Sequence, residues 1–189
     1  IMALRVGIVG ARGIGKNHAV SHKADNLAEL VAICDLNKER ANEMAAEFGA
    51  TSYRTLAEML QNEELDVVDV CTGGNENGSW HFEPTMEALE AGKHVLVEKP
   101  ISNDLDEGRQ MVARAAELDL YLGCNLNHYF TQPAEKADEY INDGKIGELG
   151  FCVHRMGFAG GEATYQPSDA PRSANFPYFH VKAFLHHPF

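Results

Sequence analysis

Hydrophobic positions in the first two thirds of the chain follow two alternating patterns. Short, largely apolar runs, often β-branched, recur at Leu4–Gly10, Leu30–Cys34, Val67–Cys71, Val95–Val97 and Tyr121–Cys124. Runs of this length without polar alternation predict strands covered on both faces. Between them, apolar residues recur every three or four positions, the spacing of an amphipathic helix. Asn37 can cap a helix whose Ala41, Met44, Ala45 and Phe48 share one face, with Gly49 at its end. Thr55 and Glu58 form a capping box that opens a helix carrying Leu56, Met59 and Leu60. A third helix spans about Glu83 to Ala91, with Pro84 in its first turn and Gly92 beyond its end. Asn103 or Asp104 opens a fourth that reaches about Leu118. Strand and helix alternating in this way imply a parallel sheet with right-handed crossovers, so the predicted fold class is α/β, a doubly wound parallel-sheet Rossmann domain.

After Asn125 the pattern changes. Gln132 to Asn142 predicts a helix behind Pro133. Gly150 to Met156 alternates Phe151, Val153 and Arg155 against Cys152, His154 and Met156, which predicts a strand with unlike faces. Gly157 to Pro177 is rich in Gly, Pro, Ser and Asp and reads as a long loop, and Phe179 to Phe189 is aromatic and His-rich. One helix, one strand and a loop cannot cover their own apolar surface. The expected organisation is a Rossmann domain over residues 1–125, followed over 126–189 by the truncated start of an α+β open-sheet domain. Limited proteolysis is expected to cut between Gly157 and Pro177.

Composition narrows the function classes. A chain of 189 residues with 44% hydrophobic and 23% charged residues is neither disordered nor collagen-like. Asp and Glu outnumber Lys and Arg by 28 to 16, a net charge of −12 that repels phosphodiester backbones and anionic lipid. No basic patch offsets it, and no apolar stretch approaches the ~20 residues of a membrane span. Neither nucleic acid nor a membrane is expected as a partner. Cys34, Cys71, Cys124 and Cys152 are scattered with no Cys-x-x-Cys, so neither a zinc knuckle nor a disulfide framework is indicated and no metal is expected. The expected setting is a reducing cytoplasm.

Candidate chemistry begins where the first strand ends, in Gly10-Ala-Arg-Gly-Ile-Gly15. A pyrophosphate needs a tight turn, close backbone approach and free amides at a helix N-terminus, and glycines supply these. The usual pattern is Gly-x-Gly-x-x-Gly; here Gly10 and Gly15 fit, Arg12 stands at the second glycine and Gly13 follows it. Arg12 can lie along a diphosphate, with Ile14 beside it, or point to solvent and offer only its amide. Asp35 ends the second strand 20 residues past Gly15, where a carboxylate accepts both hydroxyls of an adenosine ribose and repels a 2′-phosphate. Leu36 and Asn37 behind it offer no cation, so NAD is expected over NADP by at least tenfold. At the end of the fifth strand, in Val97-Glu98-Lys99-Pro100, Lys99 falls where a nicotinamide ring would sit and can exchange the proton of a substrate hydroxyl.

These residues together resemble the Gfo/Idh/MocA oxidoreductase family. The likeness rests on Gly10–Gly15, Asp35, Cys71-Thr-Gly-Gly with His81, Ala91-Gly-Lys-His-Val-Leu-Val-Glu-Lys-Pro100 and Asp143-Gly-Lys-Ile-Gly-Glu-Leu-Gly150. The resemblance implies a dehydrogenase or reductase of sugars, inositols or related polyols that uses NAD or NADP, with a second open-sheet domain that builds a homo-oligomer. It implies Lys99 as the catalytic lysine, Glu98 as the acidic residue positioning lysine and cofactor, and Thr72 and His81 as nicotinamide-side residues. Gly73 replaces the family's proline there. The family's second acid/base group is usually an Asp-x-x-x-His, which this chain lacks; Lys182 and His186 keep the four-residue spacing and are the substitute candidates. They read equally as aromatic-rich core or interface residues, and His128, Tyr129 and Arg155 read either as substrate contacts or as packing. The expected function is hydride transfer between NAD(H) and a polyol or sugar with Lys99 as proton relay. The alternative is a relative that binds a dinucleotide without turnover.

Overall fold

The computed structural model describes residues 2–74 and 78–151, of Asn127 and His128 the backbone alone. The chain divides into two units, residues 1–125 and 126–189. In the first, strands β1 (Leu4–Val9), β2 (Ala28–Cys34), β3 (Thr51–Tyr53), β4 (Val67–Val70), β5 (His94–Glu98) and β6 (Leu122–Asn125) alternate with helices α1 (Gly13–Ala24), α2 (Lys38–Phe48), α3 (Leu56–Asn62), α4 (Phe82–Glu90) and α5 (Leu105–Glu117). The strands form one parallel sheet in the order β3-β2-β1-β4-β5-β6. The order reverses at β1, and a sheet of this kind opens its ligand crevice at the carboxyl ends of the strands flanking that reversal.

Local sequence explains most element ends. Asn37 Oδ1 accepts the amide N–H of Arg40 at the start of α2, and Gly49 closes that helix in the left-handed region at φ +69°. Thr55 and Glu58 form the expected capping box of α3. Asp104, rather than Asn103, caps α5 by accepting the amides of Asp106 and Glu107. β3 escapes a reading of apolar runs because it has only three residues, none buried.

The core lies on both faces of the sheet. Met59, Leu89 and Met111 from α3, α4 and α5 pack with Val68, Val70 and Val97. On the other side Ala19 of α1 and Met44 and Ala45 of α2 pack with Ile8, Leu30 and Ile33. Burying each large aliphatic side chain stabilises the domain by about 1.5–3 kcal/mol. That fixes the sheet as a rigid platform for its carboxyl-end loops.

The second unit, within the described residues, holds a single 3-10 turn (Asn127–Phe130) and α6 (Gln132–Asn142), which has no buried residue. The expected strand over Gly150 to Met156 falls almost wholly outside the described residues, as do the loop from Gly157 and the candidates Arg155, Lys182 and His186. No helix among the described residues is long and apolar enough to cross a membrane.

Candidate dinucleotide site

The turn from β1 into α1 is shaped by its glycines in different ways. Gly10 has φ +104°, and a Cβ on it would come within 2.7 Å of the Cys71 carbonyl oxygen. A Cβ on Gly15 would run into the Gly10 carbonyl oxygen. These two glycines are demanded by the fold itself, one for the turn and one for the close approach of helix to strand. Gly13 is different: a Cβ there would meet nothing within 4 Å. Its bareness serves no internal contact, which leaves open surface at the first residue of α1. The first amides of a helix have no intrahelical acceptor and sit at the positive end of its dipole, so this surface suits a diphosphate. Arg12 and Ile14 are both exposed beside it, and Arg12 makes no side-chain cap bond.

Asp35, just past β2, is 8% exposed and fully engaged. Its Oδ2 accepts the Ala11 amide at 2.9 Å and its Oδ1 accepts the Asn37 amide at 2.8 Å. Arg40, in the first turn of α2, donates Nε to Oδ2 at 3.0 Å and Nη2 to Oδ1 at 2.8 Å, a bidentate pair. Burial pushes the Asp35 pKa up, but the hydrogen bonds from Arg40, Ala11 and Asn37 outweigh it and hold the carboxyl below its ordinary value. This corrects the expectation of a carboxylate with no cation behind it. The cation is Arg40, five residues on, with its guanidinium against the Asp35 carboxylate.

At the other side of the crevice, Glu98 ends β5 and is buried. Its Oε1 accepts from Asn125 Nδ2 at the end of β6 and lies 3.0 Å from His18 Nε2, while its Oε2 accepts the Lys99 amide at 3.1 Å. His18, on α1, reaches Asp69 Oδ2 of β4 with Nδ1 at 2.8 Å. His22, one turn on, places Nε2 2.7 Å from the same oxygen. Burial lowers the His18 pKa, but hydrogen bonds to Asp69 and Glu98 prevail and raise it to about 9. His18 is thus an imidazolium held between two buried carboxylates. For Glu98, burial alone would raise the pKa, and the bonds from His18 and Asn125 keep it low. The Lys99 ammonium has no hydrogen bond or ion pair among the described residues.

Thr72 and His81 are both spent within the protein. Thr72 Oγ1 donates to the Trp80 carbonyl at 2.7 Å. His81, 1% exposed, sets Nε2 2.7 Å from the Thr72 carbonyl and Nδ1 2.7 Å from the Pro100 carbonyl. It braces the loop after β4 against the loop after β5. Gly73 is exposed between them.

Gly10, Gly13, Gly15, Asp35, Thr72, Gly73, Glu98 and Lys99 all lie at or beside the carboxyl end of the sheet. Arg40, His18, His22, Asp69 and Asn125 have no role in the sequence analysis. Arg40 sits five residues past Asp35, and His18 meets Asp69 and Glu98 across 51 and 80 residues of chain. The four-residue spacing of His18 and His22 was the one local signal.

A parallel sheet of order 3-2-1-4-5-6, a glycine turn into a helix N-terminus and an acidic residue after β2 define a dinucleotide-binding Rossmann protein. Comparison with known proteins carries this further. The sequence model of the Gfo/Idh/MocA oxidoreductases, an NAD-binding Rossmann fold, matches residues 4–126, and the chain belongs to that family. It is 34% identical over 148 residues to a D-glucoside 3-dehydrogenase of Escherichia coli K12, covering 77% of this chain and 41% of that protein. To a myo-inositol 2-dehydrogenase of Thermotoga maritima it is 31% identical, covering 77% and 42%. Among solved structures, the WlbA dehydrogenase of Bordetella pertussis with NADH and UDP-GlcNAcA superposes with a TM-score of 0.70 at 30% identity, over 77% of this chain and 43% of that one. A 3-ketoreductase of Actinomadura kijaniata, solved with NADP, gives 0.69 at 28% identity, over 78% and 46%. The chain therefore spans about two fifths of the length of the curated relatives it matches.

Proposed function

We propose that this chain is the cofactor-binding part of an oxidoreductase that passes hydride between NAD(H) and a ring hydroxyl or carbonyl of a sugar, inositol or related polyol. The observation that carries the reading is Lys99: an ammonium at the end of β5 with no ion pair among the described residues, its backbone held by Glu98, which is itself gripped by His18 and Asn125. The bound nicotinamide supplies the hydride acceptor or donor at its C4. The α1 N-terminus and Gly13 seat the diphosphate, and Asp35 with Arg40 meets the adenosine ribose. Lys99 would take the hydroxyl proton in oxidation and return it in reduction, as hydride passes to or from the bound nicotinamide. Glu98 and His81 act as positioning residues for the two loops around it. Residues 126–189 are assigned to the second domain, where substrate and a second copy would be met.

The test has two arms. Fluorescence titration of the chain with NADH should show saturable binding; its absence overturns the reading. Turnover of glucosides, inositols and nucleotide sugars is assayed on a protein of the relatives' full length. There Lys99→Ala should keep NADH affinity within severalfold and lose about 10²–10⁴ in rate. Binding in the parent with no turnover of any member of the panel would favour a dinucleotide-binding relative without activity.

A further inference from the structure

Helix α1 carries two imidazoles one turn apart, His18 and His22, and β4 sets Asp69 against both. One donor atom from each of the three residues lies within 4.8 Å of the other two. We propose that His18, His22 and Asp69 form a binding site for a zinc-class divalent cation, a role that the dehydrogenase reading gives to none of the three. Two imidazole nitrogens and one carboxylate oxygen make a donor set suited to zinc and its neighbours, and three protein ligands leave a fourth position for water.

The surroundings support the assignment beyond the ligands themselves. His18 would give Nδ1 to the ion while its Nε2, 3.0 Å from Glu98 Oε1, keeps its hydrogen for that carboxylate. A metal-bound imidazole backed by a carboxylate in this way is oriented and made more basic. The other Asp69 oxygen, Oδ1, accepts from the Cys71 thiol at 3.4 Å, which holds the carboxylate plane. Asp69 and Glu98 are 0% and 5% exposed, a concentration of buried negative charge that a dication would offset. The His22 side chain, 17% exposed against 9% for His18, gives the ion its way in and its water.

The present spacings of 2.7 and 2.8 Å are those of N–H···O bonds. Tetrahedral zinc at about 2.0–2.1 Å from each ligand separates the ligand atoms by about 3.3 Å. Loading therefore opens each N···O distance by about half an ångström, turns the partly exposed His22 ring, and requires that neither metal-facing ring nitrogen carry a hydrogen: His18 gives up its Nδ1 hydrogen and keeps the one on Nε2, and His22 carries its hydrogen on Nδ1.

The chain has nine histidines, so binding alone does not locate the ion. The experiment uses the untagged chain, stripped with chelator and titrated with Co2+ by visible absorption and with Zn2+ by equilibrium dialysis. One equivalent of Co2+ should give the strong visible bands of four-coordinate cobalt, and Zn2+ should bleach them. His22→Ala should abolish the bands and weaken Zn2+ at least tenfold while NADH titrates as in the parent. Ring-nitrogen NMR of the parent supplies a reading independent of that variant's folding: Zn2+ should shift the His18 and His22 resonances together. Only six-coordinate cobalt, equal Zn2+ binding by parent and His22→Ala, or unmoved His18 and His22 resonances would each overturn the site.

Discussion

At Asp35 the carboxylate already accepts from Arg40 and from two backbone amides, so a ribose meets an engaged acceptor and not a bare negative charge. A 2′-phosphate brought to this corner is repelled by Asp35 and attracted by a guanidinium whose side chain is 34% exposed. The chain is accordingly expected to bind NADH and NADPH with dissociation constants closer than the tenfold gap that Asp35 alone would set. Arg40→Ala should widen the gap, weakening NADPH at least tenfold, or about 1.4 kcal/mol, and NADH by no more than severalfold. Fluorescence titration of both nucleotides checks this. The same pair shapes acid stability. Because Asp35 has a folded pKa below its unfolded value of about 3.9, it contributes stability above that pH and loses it as pH falls through the folded pKa. Thermal melts from pH 6 downward should fall more steeply below about pH 4 in the parent than in Asp35→Asn. Asp35 was legible in the chain because its place after a strand is local; Arg40 was not, because which way a first-turn arginine folds depends on the carboxylate it finds.

Among the elements, the β1–α1 junction separates what the fold requires from what a ligand requires. Gly15 faces backbone it cannot move, whereas Gly13 faces open space. Gly15→Ala should therefore unfold or severely destabilise the domain. Gly13→Ala should leave the melting temperature unchanged or slightly raised, since alanine is favoured over glycine in a helix by about 0.5–1 kcal/mol, yet weaken NADH at least tenfold. Differential scanning calorimetry beside nucleotide titration distinguishes the two. The helices were readable from their caps because capping is decided within four residues: Asn37, Thr55 and Glu58 make the bonds their spacing suggests. β3 was not, since Thr51–Tyr53 acquires strand geometry only by pairing with β2.

In the whole molecule, alternation of strands and helices was enough to indicate a parallel sheet, while the polar network beneath the crevice was not. Asn125 and His18 both meet Glu98, across separations of 27 and 80 residues, and such pairings arise from strand order, not from any run of residues. The His81 bridge belongs to the same scale. It joins the Thr72 carbonyl after β4 to the Pro100 carbonyl after β5, and Gly78 packs against Pro100 so closely that a Cβ would come within 2.8 Å of its ring. The loop after β5 cannot lift without losing the His81–Pro100 contact and the packing of Pro100 on Gly78. The amides around Thr72 and around Ser102 should then exchange with deuterium at one common rate, and His81→Ala should quicken both together while the central strands keep their protection. A nucleotide lying across those loops would leave through a single opening event, so its dissociation should follow one exponential in the parent and become faster when the bridge is cut.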